Sequence, residues 1–215
     1  MNFFLFATIS AFSIGIPTLI ALCSYKQMKG KYLPLFILLL IGFINEVISL
    51  LMIMVMRTNM LASNIYVGIE FVLFTWLFYN LKKQDRLLFI ISLLLGTMLW
   101  ILDNIILHTI IQANAVFKLF ACVAIIWYCV YKLSELTLNS VADQFRLVDL
   151  LLCFSLLIYF TFKGFILVLH TFSAVSGSMY FIHLSMILCA LNIIINIFLS
   201  LVILCIRKSL STIPY

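Results

Sequence analysis

Charge is what this chain has least of. Only 9% of its 215 residues are Asp, Glu, Lys or Arg, against 66% hydrophobic residues and a mean hydropathy of +1.28. Soluble domains carry about a quarter charged residues, so a water-covered exterior is excluded. Proline is scarce as well, at three residues, and no Pro-rich linker, low-complexity stretch or internal repeat divides the chain. No polar stretch is long enough to build a soluble unit. Residues 1–215 therefore read as one polytopic membrane domain, in which recognition or catalysis must use the membrane part or short loops. The six cysteines form no C-x-x-C pair and lie in or beside apolar runs, which gives a disulfide framework or thiolate metal site no support. G-x-S-x-G, H-x-x-x-H and H-E-x-x-H are absent too, so no serine nucleophile or paired-histidine zinc motif can be singled out. The lack of G-x-x-x-G leaves an oligomer unspecified.

What is present is a series of apolar runs long enough to cross a bilayer. They cover approximately Phe3 to Tyr25, Tyr32 to Met56, Asn64 to Leu81, Leu87 to Ile111, Ala115 to Leu133, Leu147 to His170 and Ser178 to Ile206. The first lacks a basic n-region and a small-residue cleavage site and carries Pro17, so it is expected to be a retained span and not a signal peptide. Short connections make consecutive helices antiparallel neighbours. Alternate loops then collect the basic residues unequally. One side receives Lys26, Lys29, Lys31, Lys82, Lys83, Arg86, Lys132, Arg146, Arg207 and Lys208, and the other only Arg57. Cytoplasmic loops carry the basic excess. The expected fold class is an all-α membrane protein, a seven-transmembrane-helix bundle with the N-terminus outside and the C-terminus cytoplasmic. The net charge of +6 is accounted for by this topology and by anionic lipid, so membrane lipids are expected partners and nucleic acid is not.

Against that background the ionisable residues inside the spans stand out, since each costs a few kcal/mol in lipid and is normally turned toward protein or a wet cavity. The fourth run is the one in which function is expected to show, because Trp100, Asp103, Asn104 and His108 share roughly one helical face near its far end. With the topology above, Glu46 lies near the middle of the second span. Glu70, Lys118, Lys163 and His183 join the fourth-span group in the outer half. Five helices sending titratable groups to one depth predict a polar cavity opening outward. Its candidate ligand-binding residues are Glu46, Glu70, Trp100, Asp103, Asn104, His108, Lys118, Tyr159, Lys163 and His183. Two readings stay open: interhelical ties made by carboxylates facing Lys118 and Lys163, and a site for an ion, a lipid or a small molecule from the outer side. Asp149, near Arg146 at the cytoplasmic end, is expected to stay hydrated. Ser185, Cys189, Asn192, Asn196 and Ser200 are spaced as a packing seam.

No catalytic residue or cofactor is expected, and metal binding is left open. A retinal chromophore on Lys163 is disfavoured because the last span has no lysine. A metal-dependent lipid hydrolase using His108, His170 and His183 with Asp103 or Glu70 remains an alternative function. A secondary transporter finds no inverted repeat or broken midplane helix. Seven short-looped spans favour a small sensor or an accessory subunit whose cytoplasmic loops contact a protein partner, an inference from architecture.

Asn64-Ile65-Tyr66 followed by Glu70, Leu157-Ile158-Tyr159-Phe160, and His183 with Asn192 and Asn196 resemble a group of small seven-span bacterial membrane proteins. The resemblance covers most of the chain. It implies an inner-membrane location and no activity; similar small accessory proteins occur beside bacterial defence nucleases, an alternative role.

Overall fold

The computed structural model describes residues 3–82, 86–112, 114–138, 146–173 and 178–211, with side chains at all of these except 82, 170–173, 178–181, 210 and 211. Every described regular element is helical. In chain order they are α1 (Phe3–Phe12), α2 (Gly15–Cys23), α3 (Tyr25–Met28), α4 (Leu33–Met56), α5 (Met60–Lys82), α6 (Arg86–Ile101), a π-helical turn (Leu102–Leu107), α7 (Val116–Leu138), α8 (Arg146–Ser173) and α9 (Ser178–Ser211). Among the described residues seven stretches are long and apolar enough to span a bilayer: Phe3–Cys23, Leu33–Met56, Met60–Leu81, Arg86–Leu107, Val116–Leu138, Arg146–Leu169 and Ile182–Ser209. The chain is a seven-span membrane protein by length and composition.

Local sequence explains the interruptions. The first span breaks between α1 and α2, just before Pro17, whose ring leaves no N–H for the turn. Pro34 sits in the first turn of α4, where that donor is not needed. The α4–α5 turn is closed by Arg57, which ends α4 in the left-handed conformation (φ 61°).

Packing follows a closed circuit. α2 packs on α4, α4 on α5, α5 on α7, α7 on α8, α8 on α9, and α9 back on α1 and α2, while α6 lies against α5 and α7. The third span, Met60–Leu81, is 56% buried, and the fourth, Arg86–Leu107, only 17%. The run from Leu87 to Ile111, expected to be the centre of interest, is thus peripheral, and α5 is the central helix.

The interior is apolar at one end of the bundle. Its main cluster joins Ala21, Met28, Tyr32, Leu35, Leu39, Leu77, Ile125, Val148, Leu152, Leu156, Phe160, Ile203 and Ile206 from six spans and their loops. Most of these lie in the half of each helix next to the basic loops, with Ile125 and Phe160 just past mid-helix. In the opposite half burial thins: beyond Gly42 only Ser49 of α4 is buried, and α9 has no buried residue among described positions before Ile195. A second, small cluster of Val67, Phe71, Phe117 and Ala121 fills the α5–α7 contact there.

At the basic end two buried charges act as ties. Asp149 is 1% exposed, accepts the Tyr32 hydroxyl at 2.6 Å and pairs with Lys31 at 2.8 Å. This corrects the expectation that it stays hydrated beside Arg146: desolvation is offset by two donors from the α3–α4 connection. Lys132 of α7 donates to the Leu81 carbonyl at 3.0 Å, satisfying an orphan at the end of α5, and pairs with Glu135 at 3.2 Å.

Candidate functional site

Glu70 and Lys163 form an ion pair between two of the spans. They stand 3.1 Å apart, Glu70 on α5 and Lys163 on α8, with side chains 9% and 17% exposed. An i,i+4 spacing puts Tyr66 above Glu70 and Tyr159 below Lys163 on the faces that meet. The Lys163 ammonium also lies 5.4 Å from the Tyr159 ring centroid and 5.1 Å from that of Phe160, a cation–π arrangement that strengthens as water is excluded. Phe160 is 1% exposed and packs edge-on against Phe74 at 5.3 Å. These two rings form the floor between the polar layer and the apolar half.

Glu46 reaches the same layer from α4. It follows Leu38, Leu39 and Gly42 along the buried face at helical spacing. At Gly42 a side-chain carbon would come within 3.1 Å of the Tyr66 hydroxyl and 2.6 Å of Ile14, so the missing side chain is what lets Tyr66 approach α4. Glu46 is within electrostatic range of Tyr66 and Tyr159, and Lys118 of α7 is within range of Lys163 and Asp103. Five side chains from three spans thus face one region: Glu46, Tyr66, Glu70, Tyr159 and Lys163, with Lys118 from a fourth at its edge.

Asp103 and its neighbours make a separate construction. The π-helical turn shifts the register after Ile101, so Asp103 and Asn104 turn inward, 0% and 3% exposed, while His108 leaves the helix in extended conformation with its side chain 43% exposed. Asp103 Oδ1 lies 3.1 Å from His108 Nδ1, and Oδ2 accepts the Phe117 N–H at 2.8 Å. Asn104 Oδ1 accepts from Asn114 at 2.9 Å, Asn64 donates to the carbonyls of Ile110 and Gln112 at 2.7 and 2.8 Å, and Trp100 Nε1 donates to the Asn64 carbonyl at 3.0 Å. This network ties the α6–α7 connection to α5. Gly68 admits the Trp100 indole, which would lie 3.0 Å from a side-chain carbon there.

The ten expected residues therefore divide. Glu46, Glu70, Tyr159 and Lys163 converge, Lys118 borders them, and Trp100, Asp103, Asn104 and His108 belong to the hairpin network. Of these four, Trp100, Asp103 and Asn104 turn toward the neighbouring helices, while His108, past the π turn, is largely exposed but still lies 3.1 Å from Asp103. His183 is exposed on α9, whose main neighbours are α8, α1 and α2. The His170 side chain lies outside the described residues, as do residues 83–85 and 139–145 of the two loops expected to contact a partner. Among the described residues no group of three His, Cys, Asp or Glu is placed to hold a metal. Tyr66, Asn64 and Asn114 went unnoticed as contributors; the i,i+4 relation of Tyr66 to Glu70 is the signal that finds the first. The seam on α9 faces α1: Asn192 donates to the Ser10 carbonyl at 3.1 Å, Asn196 to the Ser13 hydroxyl at 2.7 Å, and Ser10 to the Cys189 carbonyl at 2.8 Å. A surface depression lined by Gly30, Lys31, Tyr79 and Asn80 lies at the basic end, away from the polar layer. Compared with protein-family models, curated proteins and solved structures, the chain matches none.

Proposed function

We propose that the protein is a membrane-embedded binding or sensing protein whose ligand reaches Glu46, Glu70, Tyr159, Lys163 and Lys118 from the non-cytoplasmic side. The reading takes the basic loops as cytoplasmic, the N-terminus as outside and a bacterial inner membrane as the location. One observation carries it: most of the large apolar cluster lies beside the basic loops, whereas Glu70 and Lys163 pair at 3.1 Å between α5 and α8 and Glu46 and Lys118 sit in the half where burial thins. A bundle held only by packing has no need to concentrate costly charges at one depth. A site that excludes passage on one side and offers charge on the other is what a receptor requires.

The test is thermal unfolding in detergent against a panel of lipids, metal ions and small polar metabolites. A ligand that binds the folded state alone raises the midpoint in proportion to its concentration over Kd. The expected result is a stabilising compound whose effect is lost in Lys163→Met and Glu70→Gln. Identical responses in the parent and both variants overturn the assignment of the site.

A further inference from the structure

The depression at the basic end is a second polar site, separate from the polar layer. It measures about 480 Å³ and is lined by Gly30 and Lys31 of the α3–α4 connection and by Tyr79 and Asn80 of α5. Its walls stand where a span meets the headgroups: Gly30 and Lys31 come just before the second span begins at Leu33, and Tyr79 and Asn80 lie in the last turn of the third, which ends at Leu81. They are also held in place. Lys31, with its side chain 27% exposed, is tied at 2.8 Å to Asp149, and the Tyr79 ring packs on Phe89 of α6 with centroids 4.7 Å apart. At Gly30, where φ is 113°, the space that a side chain would take is open.

What these walls offer is mostly donors. Among the described residues the Gly30 N–H, the Tyr79 hydroxyl and the Asn80 side-chain amide make no hydrogen bond, and Lys29, exposed and next to Gly30, has no ion pair. The two carboxylates tied to the walls are already engaged. Asp149 meets Lys31 and Tyr32, and Glu135 meets Lys132, which also holds the Leu81 carbonyl beside Asn80.

We propose that this depression seats the phosphodiester of an anionic phospholipid, at the end of the bundle that carries the basic loops. The inference is independent of the binding function proposed for the polar layer. A phosphodiester brings one negative charge and oxygens that only accept, which suits the Gly30 N–H, the Tyr79 hydroxyl and the Asn80 amide. The attraction does not rest on Lys31 alone, since Asp149 offsets that charge; Lys29 adds one that no described carboxylate answers. Basic pockets between spans at the headgroup level suit such lipids. The surface beneath selects a lipid over a free phosphate. From Asn80 the same helical face continues at i−4 and i−8 through Trp76, half-buried, to Val72, 42% exposed, an apolar strip along which an acyl chain can lie. A zwitterionic headgroup is disfavoured because its own cation would face these lysines.

The experiment follows the full chain in detergent by native mass spectrometry and thermal unfolding, with phosphatidylglycerol, phosphatidylcholine or inorganic phosphate added. Phosphatidylglycerol should stay bound as the detergent is stripped and raise the midpoint by at least about 2 °C, and the other two should do less. Asn80→Asp, which sets a negative charge in the wall, should weaken phosphatidylglycerol binding about tenfold. Tyr79→Phe and Lys29→Gln keep the ring packing and the Lys31–Asp149 pair, so both should fold, and each should weaken it about fivefold. Arg207→Gln removes one charge from the same side without touching the depression and should leave binding unchanged. Equal retention of phosphatidylcholine overturns the anionic class. Inorganic phosphate giving the full rise identifies a free anion and overturns the lipid. Binding that survives all three wall variants, or that falls as far in Arg207→Gln, overturns the site in favour of general charge attraction. No response to phosphatidylglycerol overturns the proposal outright.

Discussion

Asp103 and Phe117 are joined across the α6–α7 turn: the carboxylate Oδ2 accepts the amide N–H of the second residue of α7 at 2.8 Å. The carboxylate is fully buried and its other oxygen meets His108. A side chain on the preceding span thereby caps the N-terminus of the next, where an orphan donor and the positive end of the helix dipole both favour a carboxylate.

Asp103→Ala should therefore destabilise the bundle by about 1–2 kcal/mol, the usual loss for a removed cap. Asp103→Asn should cost less, because an amide oxygen can still accept from Phe117. Denaturant titration in detergent, followed by tryptophan fluorescence, ranks the two. Equal losses would mean that the contact with His108, and not the cap, carries the effect.

Tyr32→Phe removes one of two donors from Asp149, which is 1% exposed. A hydrogen bond to a buried charge is worth about 1.5–3 kcal/mol, and that is the expected loss of unfolding free energy. A loss below about 0.5 kcal/mol, the scale of ordinary surface changes, would show that Lys31 alone satisfies the carboxylate.

The seven spans were legible because hydropathy over about 19 residues depends on composition and not on partners. Glu70 and Lys163 were legible as unusual residues for the same reason, since charge in a span is conspicuous wherever it points. Their pairing was not, because it depends on which helices adjoin, and the circuit that leaves α6 outside is a packing outcome. Among Trp100, Asp103, Asn104 and His108, the exposure of His108 was not legible, for a local reason. A hundred degrees per residue is assumed for every helix, and the π turn at 102–107 breaks that rule without any proline or glycine to announce it. Asp149 was misjudged because the Tyr32 hydroxyl that reaches it is distant in sequence.

Gly96 of α6 packs directly against Phe71 of α5. A side-chain carbon there would fall 2.1 Å from Phe71 Cε1, and Phe71 is 2% exposed, held by Phe117 and Phe120 with centroids at 5.8 and 5.7 Å. The ring has nowhere to go. Gly96→Ala should cost about 1–3 kcal/mol through overpacking. Combining it with Phe71→Leu should recover part of that loss. An additive pair would place the strain elsewhere.

Lys163 and Glu70 should show strong coupling in a double-mutant cycle. Removing either partner leaves an uncompensated charge among apolar neighbours, at a cost of about 3–5 kcal/mol for a buried pair. Lys163→Met with Glu70→Leu removes both charges, so the double variant should lose about 1–3 kcal/mol less than the sum of the singles. Strict additivity would show that the two groups are independently hydrated and that the pair is not what holds α5 to α8.

The orientation proposed for the bundle decides which compartment the polar layer faces, and it can be read directly. In a chain with its native cysteines replaced, Thr58→Cys tests the α4–α5 turn and Lys208→Cys tests the far end of α9. A membrane-impermeant maleimide applied to intact spheroplasts should modify the thiol at 58 and reach the one at 208 only after permeabilisation. The basic loops account for this direction, since lysines and arginines resist transfer across an energised membrane while the turn at Arg57 carries a single charge. The reverse labelling pattern would invert the molecule. Glu46, Glu70 and Lys163 would then open toward the cytoplasm, and a ligand from that side would have to replace the external one.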